Sequence, residues 1–441
     1  MDYKMQHGRS RFRRTRHLTT PENTTASTSA PKSLANIYEI GPLRLRQQSL
    51  KTVKAYISRK NLRHNAALIR KICGNQTKIC AVVKANAYGH NAKSVVKTLN
   101  ANINDCEINH LGSLPQTGSS VQYADCFAVS SIEEAEQIFP FAQGKNILIT
   151  APLFCGIAPE LVKLAQIRAF HCTICSLDAL KYLKSILDPA AGKINIHLKI
   201  ETGMGRLGCY PDQAQNLLAE LEPSDYFNLT GVYTHFATAD EPELDFAHQQ
   251  LDHFTAFLAQ TKLDHRPNLT IHTSNTSAAL RFPQARMDMV RCGIGLFGYT
   301  NIAESNWDLK PVLRVEAPVI QIKTIPVGQT CGYGRTFRTQ RDTRIGIVPV
   351  GYADGLFRQL SNRATMRFQN TNLPIIGRIS MDLTIIDLTD CPVSHEGMSV
   401  TVVDDDPQSP ANAENLAKLA GTIPYEILIN IGNRVKRELV D

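Results

Sequence analysis

The sequence predicts an α/β protein in which a (β/α)8 TIM barrel is followed by a mostly β C-terminal domain. Eight short apolar runs alternate with helix-like segments between residues 79 and 298, which is the strand count and rhythm of a barrel. After Lys310-Pro311, apolar runs follow one another without long helices between them. The 441 residues also exceed the ~250 that a barrel alone uses. We therefore assign residues 51–311 to the barrel and 312–441 to the β domain.

The barrel strands are predicted from short apolar or alternating stretches bounded by turn residues. They span residues 79–85, 126–130, 146–150, 170–175, 194–202, 229–236, 269–275 and 289–298. Intervening segments such as SIEEAEQIF, APELVKLAQI and PDQAQNLLAELE have helical apolar spacing. One connection, residues 101–123, is long and polar, which predicts an inserted loop.

The C-terminal part has a different pattern from the barrel, with apolar runs that follow one another. VLRVEAPVIQIKTI, RIGIVPVG, LPIIGRI, LTIIDLT and MSVTVVDD are predicted strands, and ANAENLAKLAG is a predicted helix near the end. This composition indicates a separate β domain rather than further barrel units.

Residues 1–50 form a basic, Ser/Thr-rich extension that we predict to be largely disordered. They hold nine basic and three acidic side chains, which is +6 of the formal charge of +8. The remaining chain is nearly neutral, so no nucleic-acid-binding body is predicted. A role in nucleic-acid binding for residues 1–17, or a transit peptide, stays open. No apolar segment follows Arg13-Arg14, and no run of about 18 apolar residues exists, so neither export nor a membrane span is predicted.

Eleven scattered cysteines predict free thiols in a reducing, cytoplasmic compartment. Cys172 and Cys175 form a CxxC on a predicted strand, where residues three apart face opposite sides. No metal site is therefore predicted. The glycines 203, 205 and 208 match a dinucleotide fingerprint, but they follow the fifth strand instead of the first, which argues against that function.

Candidate functional residues lie where barrel strands end, because barrel enzymes place their sites at the carboxyl ends of the strands. Lys84 closes the first strand, and a lysine there is costly to bury as an ammonium. In INIHLKIET, the polar residues alternate with isoleucine and leucine, so His197, Lys199 and Glu201 should face the barrel interior. Arg206 follows this strand directly. Charged side chains inside the barrel indicate a functional site, because barrel interiors are usually packed with apolar side chains.

The ends of the last two strands suit a phosphate group. The Thr276 hydroxyl follows the seventh strand, and the backbone N–H groups of Gly293 and Ile294 follow the eighth. A lysine and a phosphate pocket on one barrel face suggest pyridoxal 5'-phosphate held as a Schiff base.

Seven segments in this order resemble the alanine racemase family. They are AVVKANAYGHN, HLKIETGMGRLG, YTHFATAD, MVRCGIGLFGY, GYGRTF, VGYADGLFR and GRISMD. The resemblance covers residues 52–441. It implies racemisation of alanine by two bases on pyridoxal phosphate, supplying D-alanine for peptidoglycan.

The resemblance also implies a role for individual residues. Lys84 and Tyr333 would be the two catalytic bases, with Lys84 holding the cofactor. The other implied cofactor contacts are Tyr88, His235, Asn275, Thr276, Arg291, Gly293, Ile294 and Tyr425. The implied substrate contacts are Arg206, Met381 and Asp382, and Lys199 matches a lysine that is often carbamylated. Tyr352, Arg358, Arg378 and Asp382 match residues that line the entrance or the substrate cavity.

The same resemblance implies a head-to-tail homodimer whose sites take Tyr333 and Asp382 from the partner. Ser380, Thr276 and Pro424 depart from the residues common in the family, and none removes a catalytic group. Two alternatives stay open: a racemase of broader amino-acid specificity with the same fold, and a non-catalytic pyridoxal-phosphate-binding barrel. The latter would have no β domain, so residues 312–441 argue against it.

Overall fold

The computed structural model describes residues 53–101, 122–222, 224–302 and 307–441. The predictions for the extension 1–50 and for most of the loop 101–123 lie outside these residues.

Eight parallel strands form the barrel, and they are the eight that the sequence predicts. The strands of this part of the chain are β1 (Lys54–Ser58), β2 (Lys78–Val82), β3 (Cys126–Val129), β4 (Ile147–Pro152), β5 (His171–Ile174), β6 (Ile194–Lys199), β7 (Phe227–Tyr233), β8 (Thr270–His272) and β9 (Met289–Cys292). The sheet runs in the order β8-β7-β6-β5-β4-β3-β2-β9. Backbone hydrogen bonds from Asp288 N–H to Ile271 O (3.1 Å) and from Arg291 N–H to Ser274 O (3.0 Å) close it between β8 and β9. The predicted barrel is therefore confirmed.

Helices surround the barrel and complete the β domain. They are α1 (Arg59–Cys73), α2 (Ala92–Leu99), α3 (Ile132–Ile138), α4 (Pro159–Ile167), α5 (Leu177–Ile186), α6 (Pro211–Leu221), α7 (Asp245–Thr261), α8 (Thr276–Arg281), α9 (Ala413–Ala420) and α10 (Pro424–Ile429). Their starts follow local chemistry: Ser58, Ser131 and Ser176 each accept a backbone N–H of the first turn, which satisfies an otherwise unpaired donor. None of the helices in the described residues is long and apolar enough to cross a membrane.

The β domain contains a six-stranded sheet, a three-stranded sheet and a short hairpin. Its strands are β10 (Leu313–Pro318), β11 (Gln321–Ile325), β12 (Thr330–Cys331), β13 (Phe337–Arg338), β14 (Thr343–Val348), β15 (Thr365–Phe368), β16 (Thr371–Pro374), β17 (Thr384–Asp387), β18 (Ser399–Val403) and β19 (Lys436–Val440). The large sheet has the order β16-β15-β18-β10-β1-β19, and β11-β14-β17 form the small one.

The assignment of residues 51–311 to the barrel needs a correction at its start. Strand β1 belongs to the large sheet of the β domain, where it pairs antiparallel with β10 and parallel with β19. Ala55 and Ile57 are buried, whereas Lys54 and Tyr56 are only partly covered, which is the alternation of a strand. That alternation is visible in the sequence, but it does not say which sheet the strand joins.

Candidate active site

The carboxyl ends of the barrel strands open into a cavity of about 400 Å³. This volume lies within the ~300–1,000 Å³ typical of small-molecule sites. Eleven of the fourteen predicted site residues line it: Lys84, Tyr88, Lys199, Arg206, His235, Asn275, Thr276, Arg291, Gly293, Ile294 and Tyr425. Strand-end residues from the whole barrel therefore converge on one space.

Lys84 enters the cavity from a turn of unusual handedness. It lies two residues after the end of β2, and residues 85–88 all have positive φ angles, between 51° and 55°. Each residue in this conformation costs roughly 1–2 kcal/mol unless it is glycine, so the turn needs external support. Burial and the nearby Arg206 guanidinium lower the pKa of Lys84 from the ordinary lysine value. Its amine is therefore easier to deprotonate than a lysine in water.

Two side chains from other elements support this turn. Glu134 of α3 accepts the backbone N–H groups of Ala85 and Ser130, both at 2.7 Å. Arg437 of β19 donates to the carbonyl of Gly89 (3.0 Å), and its other nitrogens bond carbonyls within residues 431–435. The turn that presents Lys84 is thus held by a barrel helix on one side and by the last strand of the β domain on the other.

Arg291 is a deeply buried cation of the cavity, with 5% of its surface exposed. Its guanidinium donates to the carbonyls of Thr234 and Thr273, both at 2.8 Å. It also lies 2.7 Å from Nδ1 of His272 and 3.1 Å from Nδ1 of His235. Because a guanidinium only donates, both imidazole nitrogens accept. Burial and the charge of Arg291 lower the pKa of both histidines well below the usual value, so both rings are neutral.

The opposite end of the cavity presents hydroxyl and backbone groups. The Thr276 hydroxyl accepts the Gly293 N–H at 3.0 Å, which leaves its own hydrogen free to donate. A Cβ on Gly293 would lie 2.2 Å from Oη of Tyr88, so only glycine leaves room for that hydroxyl. The Tyr88 ring packs against Phe297 and Tyr425 at centroid distances of 5.0 and 5.8 Å. This end fits a phosphate group, because small donors surround an open space.

The cavity lining carries an excess of positive charge. Lys84, Lys199, Arg206 and Arg291 line it, and Asp240 is the one acidic side chain among the described lining residues. Burial, followed by the charge of Arg291, lowers the pKa of Lys199 to about 8. Such a surface attracts a ligand with several negative charges, for example one that carries a phosphate and a carboxylate.

Two family models match this chain. The model of the alanine racemase N-terminal domain matches residues 57–301, and the model of the alanine racemase C-terminal domain matches residues 312–439. The chain belongs to the alanine racemase family. The curated alanine racemase of Chlorobaculum tepidum is 34% identical over 393 residues, which cover 88% of this chain and 95% of that protein.

Solved alanine racemases share the fold. The biosynthetic alanine racemase of Pseudomonas aeruginosa superimposes with a TM-score of 0.75 at 30% identity, covering 89% of this chain and 100% of that one. The enzyme of Bartonella henselae, solved with covalently bound pyridoxal phosphate, gives a TM-score of 0.73 at 28% identity, covering 88% of this chain and 99% of that one.

The remaining predicted site residues of this alanine racemase homologue lie on the β domain, outside the cavity of their own chain. Tyr333 and Met381 are 70% and 54% exposed. Asp382 forms an ion pair with Arg434 at 2.8 Å. The guanidinium of Arg378 lies against Gly334, next to Tyr333. We call Tyr333, Arg378, Met381 and Asp382 the β-domain patch.

Sequence reasoning missed two polar residues that act on the alanine racemase cavity. Glu134 follows Ser131 by three positions, which is a visible helix-start signal, but its bond to Ala85 spans two barrel units. His272 ends β8 and bonds Arg291, yet its sequence context, TIHTSN, reads as an ordinary strand end. Both bonds depend on the register between neighbouring strands, which cannot be predicted from a single sequence.

Proposed function

We propose that this chain interconverts L-alanine and D-alanine with pyridoxal 5'-phosphate as its cofactor. The proposal rests on the contents of the cavity. A lysine of lowered pKa, hydrogen-bond donors that suit a phosphate group and a buried arginine all line it. A further proposal is that two copies of the chain form a homodimer and that each site takes Tyr333 from the partner.

The lining residues fit the cofactor at three points. Lys84 would hold it covalently, while Thr276, Tyr88 and the backbone at residues 293–294 would hold the phosphate. Arg291 would face the pyridine nitrogen. When bound, pyridoxal phosphate supplies an electron sink that makes the Cα–H bond of an amino acid acidic. The Arg291 guanidinium is always charged, so it keeps a facing nitrogen unprotonated.

The chain's own residues bind the substrate and move the proton. Arg206 projects into the cavity beside Lys84 and would bind the substrate carboxylate through charge-assisted hydrogen bonds. Lys84 Nζ would accept or deliver the Cα proton on one face. Racemisation needs a proton carrier on the other face too, and Tyr333 of the partner subunit would serve there. Exposure of the β-domain patch supports this arrangement, because Tyr333 is free to enter a neighbouring cavity.

Lys199 has a separate proposed role. No carboxylate in the described residues lies within ion-pair distance of its amine, and Arg206 and Arg291 lower its pKa further after burial. With a pKa of about 8, a sizeable fraction of the amine is neutral near pH 7.5 and can add carbon dioxide. The carbamate would be an anion, so Lys199 would then attract Arg206 instead of repelling it.

We further propose a cytoplasmic location, with D-alanine supplied to peptidoglycan. All ten cysteines of the described residues are free thiols, which suits a reducing compartment. Neither nucleic acid nor a membrane is proposed as a partner.

The deciding experiment is an assay of the purified protein with L-alanine, with D-alanine measured by chiral chromatography and other amino acids as competitors. Lys84→Ala should abolish turnover, whereas Lys60→Ala on the exposed side of α1 should not. Borohydride should fix the cofactor on the peptide that contains Lys84. A label on another lysine would overturn the cofactor assignment, and preferred turnover of a different amino acid would favour the broader racemase.

A further inference from the structure

A row of three histidines extends from Arg291 through the barrel interior. Nδ1 of His272 lies 2.7 Å from the guanidinium, and Nε2 of His272 lies 2.9 Å from Nδ1 of His197. Nε2 of His197 lies 3.1 Å from Nδ1 of His171. The row therefore leads from the cavity at the carboxyl end of β8 to the start of β5, at the other end of the barrel. Most barrels fill this space with branched apolar side chains.

The direction of these hydrogen bonds is set at the Arg291 end. A guanidinium has no acceptor, so Nδ1 of His272 must accept, and the proton of this neutral ring must be on Nε2. That Nε2–H donates to Nδ1 of His197, whose proton is then also on Nε2 and faces His171. The opposite direction would point an N–H of His272 at an N–H of Arg291. One donor with no alternative therefore fixes the tautomers of His272 and His197. Nδ1 of His171 faces both the His197 N–H and the Thr230 hydroxyl, which lies 3.0 Å away.

The barrel is built around these rings. A Cβ on Gly231 would lie 2.5 Å from the His197 ring, so β7 has a glycine where the imidazole packs. The pairing of β6 with β7 shifts register between Ile196 and His197. Tyr233 stacks on His272 with a centroid distance of 4.6 Å and an angle of 8°. Burial lowers the pKa of His197 well below the ordinary value and that of His171 to about 4, so the rings stay neutral near pH 7.

Neutral acceptors satisfy the hydrogen-bond donors of Arg291 without pairing its charge. Within the described part of the chain, no carboxylate pairs with it, and its partners are two carbonyls and two imidazoles. A carboxylate would neutralise the guanidinium, whereas neutral acceptors satisfy its N–H groups and leave its positive charge intact. We propose that His272, His197 and His171 are positioning residues, a one-directional chain that holds Arg291 in place without cancelling its charge.

This inference deepens the proposed function, because Arg291 is the residue assigned to the pyridine nitrogen, but its test does not require turnover. In the holoenzyme with 15N-labelled histidine rings, the resonances of all three residues should show a protonated Nε2 and a bare Nδ1. Each is assigned by its loss in a single variant. A protonated Nδ1 on His272 or His197 would overturn the proposal, whether or not the enzyme racemises alanine.

Two substitutions of nearly equal size separate positioning from packing. His197→Asn keeps an acceptor near the Nδ1 position, and His197→Leu removes it. We expect His197→Asn to keep the His272 tautomer and a kcat within about threefold of the parent. His197→Leu should leave the His272 Nε2–H unpaired, alter its resonances and lower kcat at least tenfold, with KM changed far less because His197 does not line the cavity.

The melting temperatures of the two variants serve as the control, since both lose similar volume beside Gly231. Equal kcat and unchanged His272 resonances in both variants would show that the row only fills the barrel. If the parent protein shows the expected tautomers but does not racemise alanine, the proposed function is wrong and the histidine proposal stands.

Discussion

The barrel cavity and the β-domain patch contain the two halves of the predicted machinery, and they differ most in burial. In the cavity, Arg291 is almost fully enclosed, and its side-chain hydrogen-bond partners come from β7 and β8 or the residues just after them. In the patch, the Tyr333 side chain is 70% exposed. The cavity can therefore hold a cofactor with the residues of one chain, whereas the proposed role of the patch requires a second copy to cover it. A protein that needs both halves has a structural reason to pair with a second copy.

The largest expected effect comes from two variants, one that disables the cavity and one that disables the β-domain patch. Lys84→Ala and Tyr333→Phe should each lower racemisation by several orders of magnitude, because each removes one proton carrier. Mixed subunits should recover about one quarter of the parent activity, since half of the dimers are mixed and each holds one intact site. The recovery is measured after mixing under mild denaturant. Proven heterodimers without activity would mean that the two halves of a site come from the same chain.

A second test concerns the positive charge of the cavity lining. Arg206→Ala should raise KM for alanine about 10- to 100-fold, as expected for losing charge-assisted hydrogen bonds worth ~1.5–3 kcal/mol. Steady-state kinetics with both enantiomers measure it. Arg266→Ala is the matched control, because Arg266 forms an ion pair with the exposed Glu222 at 2.8 Å and does not line the cavity. An equal KM for Arg206→Ala and the parent would assign the carboxylate to another group.

A third test concerns the tight packing of the cavity around Gly293. Gly293→Ala would push a methyl group into Oη of Tyr88. Overpacking of this kind costs about 1–2 kcal/mol, so affinity for pyridoxal phosphate should fall roughly 5- to 30-fold. Fluorescence titration of the cofactor-depleted protein measures it. Adding Tyr88→Phe should recover part of the loss if the hydroxyl is the obstacle, and no recovery would reject this explanation.

The smallest effect should come from outside both regions. Deletion of residues 1–36 should change kcat and dimer formation by less than twofold, because the family models match from residue 57 onward. Steady-state assays and light scattering measure the two quantities. A large loss of either would give the extension a role in the enzyme.

The fold was largely predictable because each barrel strand has its own pattern of apolar residues, and INIHLK in β6 shows this directly. Several cavity residues were predictable for the same reason, since Lys84 and Arg206 come after β2 and β6, and Arg291 lies in β9, one residue before its end. The range 51–311 included β1 in the barrel, whereas β1 pairs with strands of the β domain, because alternation predicts a strand without its neighbours. Glu134 and His272 were missed because their partners lie on other barrel units, so their function depends on register.

The contact between Arg437 and Gly89 has a consequence for synthesis of the chain. The turn with Lys84 is translated early, but Arg437, one of its two supports, lies 348 residues later in the chain than Gly89. While residues 436–440 are still inside the ribosome, Gly89 lacks its partner, and β1 lacks the strand β19 beside it. We therefore expect Lys84 to reach its final geometry only after β19 has left the ribosome, so a nascent chain without β19 would contain a barrel whose Lys84 turn lacks one support.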